Sequence, residues 1–487
     1  MSKAIIIGAG IAGIATAIRL ALRGHQVEVF ETSDQAGGKL SEFMLESFRF
    51  DAGPSLFTMP QYVDELFRLA GKDPKEYFQY KKLDNICNYF YEDGTRIHAF
   101  ADPELFSEEI ADKTNDSASS VLDFLKKSGD IYEITNPVFL QRSLHKLGSY
   151  LNLRTLKSFF RFPKIDAFRS MNEANEARFI DSRTVRLFNR YATYNGSNPY
   201  EAPATLNIIP HFEQHFGAYF PVGGMYAIVT SLVKLATDLD VKFYFNSYVD
   251  EIQIKNNKVM GVSSGGKSYP ADMIISNMDV WYTYTKLLKN IKVPERLKNQ
   301  ERSSSALIFY WGINESFPNM DLHNIFFTED YQEEFRQIWE EKTISSDPTI
   351  YVQISSKSNP SDAPEGSENW FTMINVPSNQ GQDWDELIRV SRKNIIEKLS
   401  RNLGTDISRL ITCEFVLDPR GIDKKTFSYQ GSLYGSSSNS QFSAFLRHAN
   451  FSSAIKDLYF AGGSVHPGGG IPLALLSAKI VDGLINK

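Results

Sequence analysis

The residues best placed to do chemistry in this chain are glycines. Gly8, Gly10 and Gly13 follow the apolar run Ala4–Ile7 in Gly-x-Gly-x-x-Gly spacing. In a strand–turn–helix setting, the first glycine permits a tight turn and the second lets backbone approach a pyrophosphate. The third lets helix and strand pack closely. Ile11 and Ala12 open that helix, whose first N–H groups would face the phosphates. Glu31 stands near the ~20-residue offset at which an acid holds ribose hydroxyls. Unphosphorylated ribose implies FAD or NAD.

A second set of residues favours FAD. Gly37-Gly38-Lys39 is a glycine turn beside a cation, and Gly53-Pro54-Ser55 follows shortly after Asp51. Near the C-terminus, a turn containing Gly463 and Gly470 leads into a helix at Ile471-Pro472, where proline suits the first turn. A helix N-terminus aimed at the pyrimidine side of a flavin would stabilise negative charge on the reduced ring. Val249, closing a strand read over Val241–Val249, is a further expected cofactor contact.

Other reactive side chains are weaker candidates. His466 lies in the flavin-side turn and is the catalytic candidate, for contact with flavin or substrate; a backbone-bonded histidine is the alternative. Asp51 reads better as a turn cap than as a site residue, and Asp418 and Arg420 follow an apolar strand. His211 and His215 have helical spacing but no third ligand, so no metal is expected. Cys87, Cys413 and Ser477 have no base or orienting partner nearby in sequence, which sets nucleophilic catalysis aside.

These groups need a scaffold that leaves a nucleotide-binding sheet and returns to it. Ala4–Gly8, Ile11–Arg23 and Gln26–Glu31 form a strand–helix–strand unit. A helix over Met225–Thr237, a hairpin around Asn256-Asn257 and a buried strand at Met273–Ser276 extend the fold. A last strand at Leu458–Ala461 and a last helix at Ile471–Ile485 close it. The fold class is therefore α/β with α+β insertions. A Rossmann-like FAD-binding domain is expected over 1–75, 218–290 and 425–487, and a mixed-sheet substrate domain over 76–130 and 291–424. A helical lid or membrane-facing region is expected over 131–217.

Composition narrows the function classes. A net charge of −6 over 487 residues gives no case for nucleic acid. Aromatic residues make up 13% of the chain, which suits a large apolar ligand or surface as well as a core. No stretch approaches the ~20 apolar residues of a membrane-spanning helix, and no signal peptide is evident. The segment Gln141–Ser170 carries Arg142, Lys146, Arg154, Lys157, Arg161, Lys164 and Arg169 against the single acid Asp166, with aromatic and leucine residues between them. That pattern suits an anionic bilayer interface or a solvated helix. A cytoplasmic, peripherally membrane-associated protein is expected.

Taken together, the chain resembles the flavin-dependent carotenoid desaturases of the bacterial phytoene desaturase type, within the amine-oxidase-like superfamily. The resemblance runs over nearly the whole length. It rests on the N-terminal glycines, Gly37-Gly38-Lys39, Asn198–Ala204, Tyr219–Met225, Ile275–Asp279 and Ala461–Lys479. Lys39 departs from the arginine common there. Pro472–Ser477 and Arg190–Tyr194 resemble the 1-hydroxycarotenoid 3,4-desaturases. The resemblance implies FAD, a linear carotenoid substrate, and hydride transfer to flavin N5 with proton loss from the adjacent carbon. It leaves oxygen or a quinone as electron acceptor. Phytoene desaturation, carotene isomerisation and non-catalytic isoprenoid binding are the alternatives on the same scaffold.

Overall fold

Isoleucine-rich runs that end in glycine or asparagine make strands buried on both faces, and the fold begins with one. The computed structural model describes residues 2–145, 161–440 and 447–485. Lys3–Ile7 is the central strand of a five-stranded parallel sheet in the order Lys242–Tyr244, Gln26–Phe30, Lys3–Ile7, Met273–Ser276, Leu458–Phe460. Ala4, Ile5 and Ile6 are fully buried, as expected where helices cover both faces of a parallel sheet. The helices Ile11–Leu22 and Ile471–Ile485 pack on each other, so the two ends of the chain share one layer. The strand order reverses direction at Lys3–Ile7, and ligands of such sheets bind beyond the carboxyl ends of the strands at that point.

The strand expected over Val241–Val249 is shorter. Lys242–Tyr244 pairs with Gln26–Phe30, and the chain then turns at Asn246, whose φ is 51°. Val249 instead begins an antiparallel meander of Val249–Lys255, Lys258–Ser264 and Lys267–Pro270. Its first turn is Asn256-Asn257, both left-handed, as a two-residue hairpin with matching twist requires.

A second sheet of seven strands runs Ile411–Leu417, Ser305–Ile313, Glu368–Val376, Ile350–Ile354, His323–Phe326, Asn85–Phe90, Arg96–Phe100. Every pairing is antiparallel except His323–Phe326 with Asn85–Phe90. Trp311 and Trp370 face each other across two strands, both fully buried. Helices cover the region between, including Pro103–Lys113, Ala118–Thr135 and Ser182–Asn189. Among the described residues no helix is long and apolar enough to cross a membrane. Residues 146–160, the middle of the basic segment, lie outside the described residues.

A small hairpin, Glu42–Leu45 with Phe48–Asp51, joins the two sheets. Phe48 and Phe50 pack with Ala306, Ile308, Tyr310 and Phe371 of the larger sheet. Arg49 is the polar rivet. It donates to Glu42 (2.7 Å), Asp51 (2.7 Å) and Asp362 (3.1 Å), while its carbonyl accepts from Asn369 Nδ2 (2.6 Å). Asp51 also accepts from the Met225 backbone N–H at 3.0 Å, so it anchors the turn ahead of Gly53. Burial pushes the Asp51 and Asp362 carboxyls up, and the Arg49 charge opposes it. Arg49→Met strands two buried carboxylates. Urea denaturation should show a loss of about 3–5 kcal/mol, the scale for removing one partner of a buried ion pair.

Candidate functional site

One cavity of about 470 Å³ opens at the carboxyl ends of Lys3–Ile7 and Met273–Ser276 and runs onto the face of the seven-stranded sheet. That volume falls in the range of small-molecule and cofactor sites, roughly 300–1,000 Å³. Its N-terminal wall is the glycine turn. Gly8, Gly10, Ile11 and Ala12 line it. Gly10 is the N-cap of Ile11–Leu22 and supplies no side-chain cap, which leaves the first N–H groups of the helix for an anion. A Cβ on Gly10 would stand 2.6 Å from Asn277 Oδ1, so only glycine fits. Gly13 is not on the wall. A Cβ there would meet Gly8 O at 2.2 Å, and the residue serves the close packing of helix against turn.

Glu31 lines the same end and is aimed by backbone. It accepts from Ala9 N–H at 2.7 Å and from Ser33 N–H at 2.9 Å. Gly37, Gly38 and Lys39 continue the wall, followed by Gly53, Pro54, Ser55 and Val249. Lys39 Nζ donates to Leu433 O (2.7 Å) and Ser432 O (3.2 Å). Burial lowers its pKa to about 8, with Asp279 acting against that shift.

The opposite wall comes from the other end of the chain. Gly463, Gly470, Ile471 and Pro472 line the cavity, so a second helix N-terminus opens onto it. Asn277 joins the two halves: its backbone N–H donates to Ile7 O at 2.8 Å and its Nδ2 to Ala461 O at 2.9 Å. Asn277, Met278 and Asp279 line the cavity, though nothing in their residue types announced it. His466 does not line it. It is 3% exposed, its Nε2 is 2.8 Å from Arg142 O, and burial lowers its pKa to about 4. Its position is that of a neutral histidine tying the turn to the helical region. Ser477 Oγ accepts from Gly462 N–H at 3.1 Å, another brace for this turn.

The far wall is a face of the seven-stranded sheet. Ile325, Tyr351, Met373, Ile308 and Leu417 form one row across five strands, neighbour by neighbour in register, and all line the cavity. Cys87, on the adjoining strand Asn85–Phe90 of the same sheet, and Arg190 and Tyr194 from the helical region also line the cavity. Arg190 is 6% exposed and donates to Tyr89 Oη (2.6 Å) and Tyr194 Oη (3.0 Å), while Tyr191 and Tyr194 both bond Glu213. Burial pushes the Cys87 thiol up to about 12, which leaves it protonated and inert. Among the described residues the carboxylates on the cavity wall are Glu31 and Asp279, beyond the carboxyl ends of Gln26–Phe30 and Met273–Ser276.

The remaining candidates lie elsewhere. Asp418 caps Pro419–Thr426 and pairs with Arg420, neither of them on the wall. His211 and His215 stack with ring centroids 4.5 Å apart, and no metal-ligand cluster occurs among the described residues. Cys413 is buried against the small hairpin.

Comparison with known proteins follows the same lines. Residues 11–481 match the family described as flavin containing amine oxidoreductase. The chain is 49% identical to a 1-hydroxycarotenoid 3,4-desaturase of Flavobacterium sp., covering 100% of this chain and 99% of that one. It is 31% identical to a phytoene desaturase of Fusarium fujikuroi, over 99% of this chain and 89% of the other. Cyclohexylamine oxidase from Brevibacterium oxydans superposes with a TM-score of 0.62 over 99% and 98% of the two chains. At 16% identity that likeness concerns the fold alone.

The buried histidines make stability depend on pH. His323, His448 and His466 are each lowered from 6.5 to about 4, mainly by burial. The unfolded chain therefore takes up their protons first, and stability is lost as pH falls from 6.5 toward 4. Urea denaturation across that window should show it. His466→Gln should flatten the slope by up to about 1.4 kcal/mol per pH unit.

Proposed function

This chain belongs to the flavin-containing amine oxidoreductases and, within them, to the carotenoid desaturases; on that premise we propose that it desaturates a linear carotenoid, as a 1-hydroxycarotenoid 3,4-desaturase. FAD is the cofactor. The observation that carries the reading is the continuity of one cavity, with a dinucleotide cradle at one end and an apolar sheet wall at the other.

The cradle fits FAD on its own chemistry. Uncapped N–H groups at Ile11 and Ala12, with Gly10 giving backbone access, suit a pyrophosphate. Glu31 suits ribose hydroxyls, and Lys39 and the Gly37-Gly38 turn sit beside the path of the cofactor. Gly53, Pro54 and Ser55 on one side and Gly463, Gly470, Ile471 and Pro472 on the other would hold the ring, and Val249 the adenosine side. Bound there, FAD supplies the acceptor for a hydride leaving one carbon while the adjacent carbon gives up a proton.

The protein's own part is positional. The row from Ile325 to Leu417 keeps water from a polyene and lays it along the sheet toward the ring. Holding the reacting bond in place supplies most of what such a reaction needs. Tyr351 and Phe371 present aromatic faces on the same wall, suited to positive charge spreading along the chain.

The substrate dissolves in membranes, and the basic segment 141–170 is the proposed contact with them. Phe168, within that segment, is 80% exposed, an apolar side chain facing solvent. Oxygen and a quinone are the candidate electron acceptors.

Expression in a host that makes defined linear carotenoids tests the reaction. The wild type should lengthen the polyene absorption of a 1-hydroxycarotenoid; conversion of phytoene alone would move the assignment to phytoene desaturation. Gly10→Val should purify colourless and yield no product, and a fully yellow variant would contradict the cradle. Replacing several basic residues of 141–170 with Glu should weaken sedimentation with anionic vesicles, and unchanged binding would remove the membrane contact.

A further inference from the structure

Among the described residues lining the cavity, three carry a buried polar side-chain atom without a partner, Ser41, Arg190 and His323, and the last two together describe a ligand group. His323 is 3% exposed. Its Nδ1 is 2.8 Å from Tyr351 Oη, which is 2.7 Å from Ser55 Oγ. Its Nε2 is buried and has no hydrogen-bond partner among the described residues. Arg190 is committed to Tyr89 and Tyr194 through its terminal nitrogens, yet its Nε is also buried and unpartnered. Both residues line the cavity. Buried polar atoms are rarely left unpaired, and those that are call for an explanation.

We propose that His323 and Arg190 form the seat for the hydroxyl group of the substrate, and so set the preference for a hydroxylated carotenoid. This rests on the desaturase reading above. A hydroxyl both donates and accepts. With the Nδ1 proton given to Tyr351, and the Tyr351 proton to Ser55, His323 Nε2 offers a lone pair. Arg190 Nε–H can only donate. One acceptor and one donor match an alcohol, and neither is satisfied by a hydrocarbon end. Burial keeps His323 neutral, its pKa lowered to about 4, so at neutral pH one ring nitrogen carries a lone pair, and the donation from Nδ1 to Tyr351 is what places it on Nε2.

The location agrees with the chemistry. In a chain hydroxylated at carbon 1 and oxidised between carbons 3 and 4, the hydroxyl-bearing carbon lies two bonds from the nearer reacting carbon. Its seat must be beside the cofactor, away from the far end of a tunnel. Ser55, the last link to His323, belongs to the Gly53–Ser55 turn that lines the cavity and that the reading above sets against the ring. An unpaired polar seat also rejects the wrong substrate strongly, because an analogue without the hydroxyl leaves both atoms buried and bare.

The test uses the full-length, FAD-loaded enzyme with a 1-hydroxylated linear carotenoid and the same carotenoid without the hydroxyl. The readout is the ratio of the two kcat/KM values. His323→Leu should lower that ratio about ten- to a hundredfold, and Tyr351→Phe, which frees the imidazole to turn, should lower it several-fold. Retained flavin absorbance confirms the fold. Should His323→Leu fail to hold flavin, Tyr351→Phe, which removes one oxygen, decides the matter. Equal loss on both substrates, or an unchanged ratio in the variants, overturns the seat. A wild type with no preference for the hydroxylated carotenoid instead removes the functional reading on which the seat rests.

Discussion

One asparagine side chain holds the site together. Asn277 follows the strand Met273–Ser276, and its amide reaches Ala461 while its backbone N–H reaches Ile7. Three parallel strands from distant parts of the chain are thereby held with their ends level. The amide also occupies the space that side chains at Gly10 and Gly462 would need. The glycines are required because the asparagine is there, and the asparagine is useful because the glycines leave it room. Two helix N-termini then open onto one cavity, each with donors to offer.

The second constraint is the bond between sheets. A cradle alone would bind a nucleotide; an apolar sheet alone would bind grease. The hairpin Glu42–Asp51 fastens one to the other through aromatic packing and the Arg49 network. Its second strand ends at Asp51, two residues before the Gly53-Pro54-Ser55 turn that lines the cavity. Buried ion pairs add little net stability against apolar substitutes. Their use here is to fix a register between two separately folded layers.

The charge distribution follows the same division. Glu31, Lys39 and Asp279 gather at the glycine-turn end, while among the described residues the sheet wall carries no carboxylate. Its polar groups are neutral or bound up: histidine held uncharged by burial, tyrosines pushed up by it, and an arginine surrounded by phenols. A hydrocarbon meets little electrostatic penalty on that wall, and only a few atoms there discriminate between chain ends.

The two glycine turns, Glu31 and the parallel strands were legible in the chain because they are local. A strand, a turn and a helix start within a few residues of each other, and their spacing carries the chemistry. Locality also explains what misled. His466 shares a turn with true wall residues, but the fold rotates its ring away from the cavity to Arg142. His323 and Tyr351 are unremarkable in sequence, Asn277 and Arg190 stood there only inside longer resembling segments, and each gains its place from contacts with residues far along the chain. Sequence by itself determined that a strand, a glycine turn and a helix start would stand together with Glu31 beside them, since short-range backbone geometry does that work. Tertiary structure alone decided what lies across from it, since a cavity wall is a row of side chains from strands that meet only after folding.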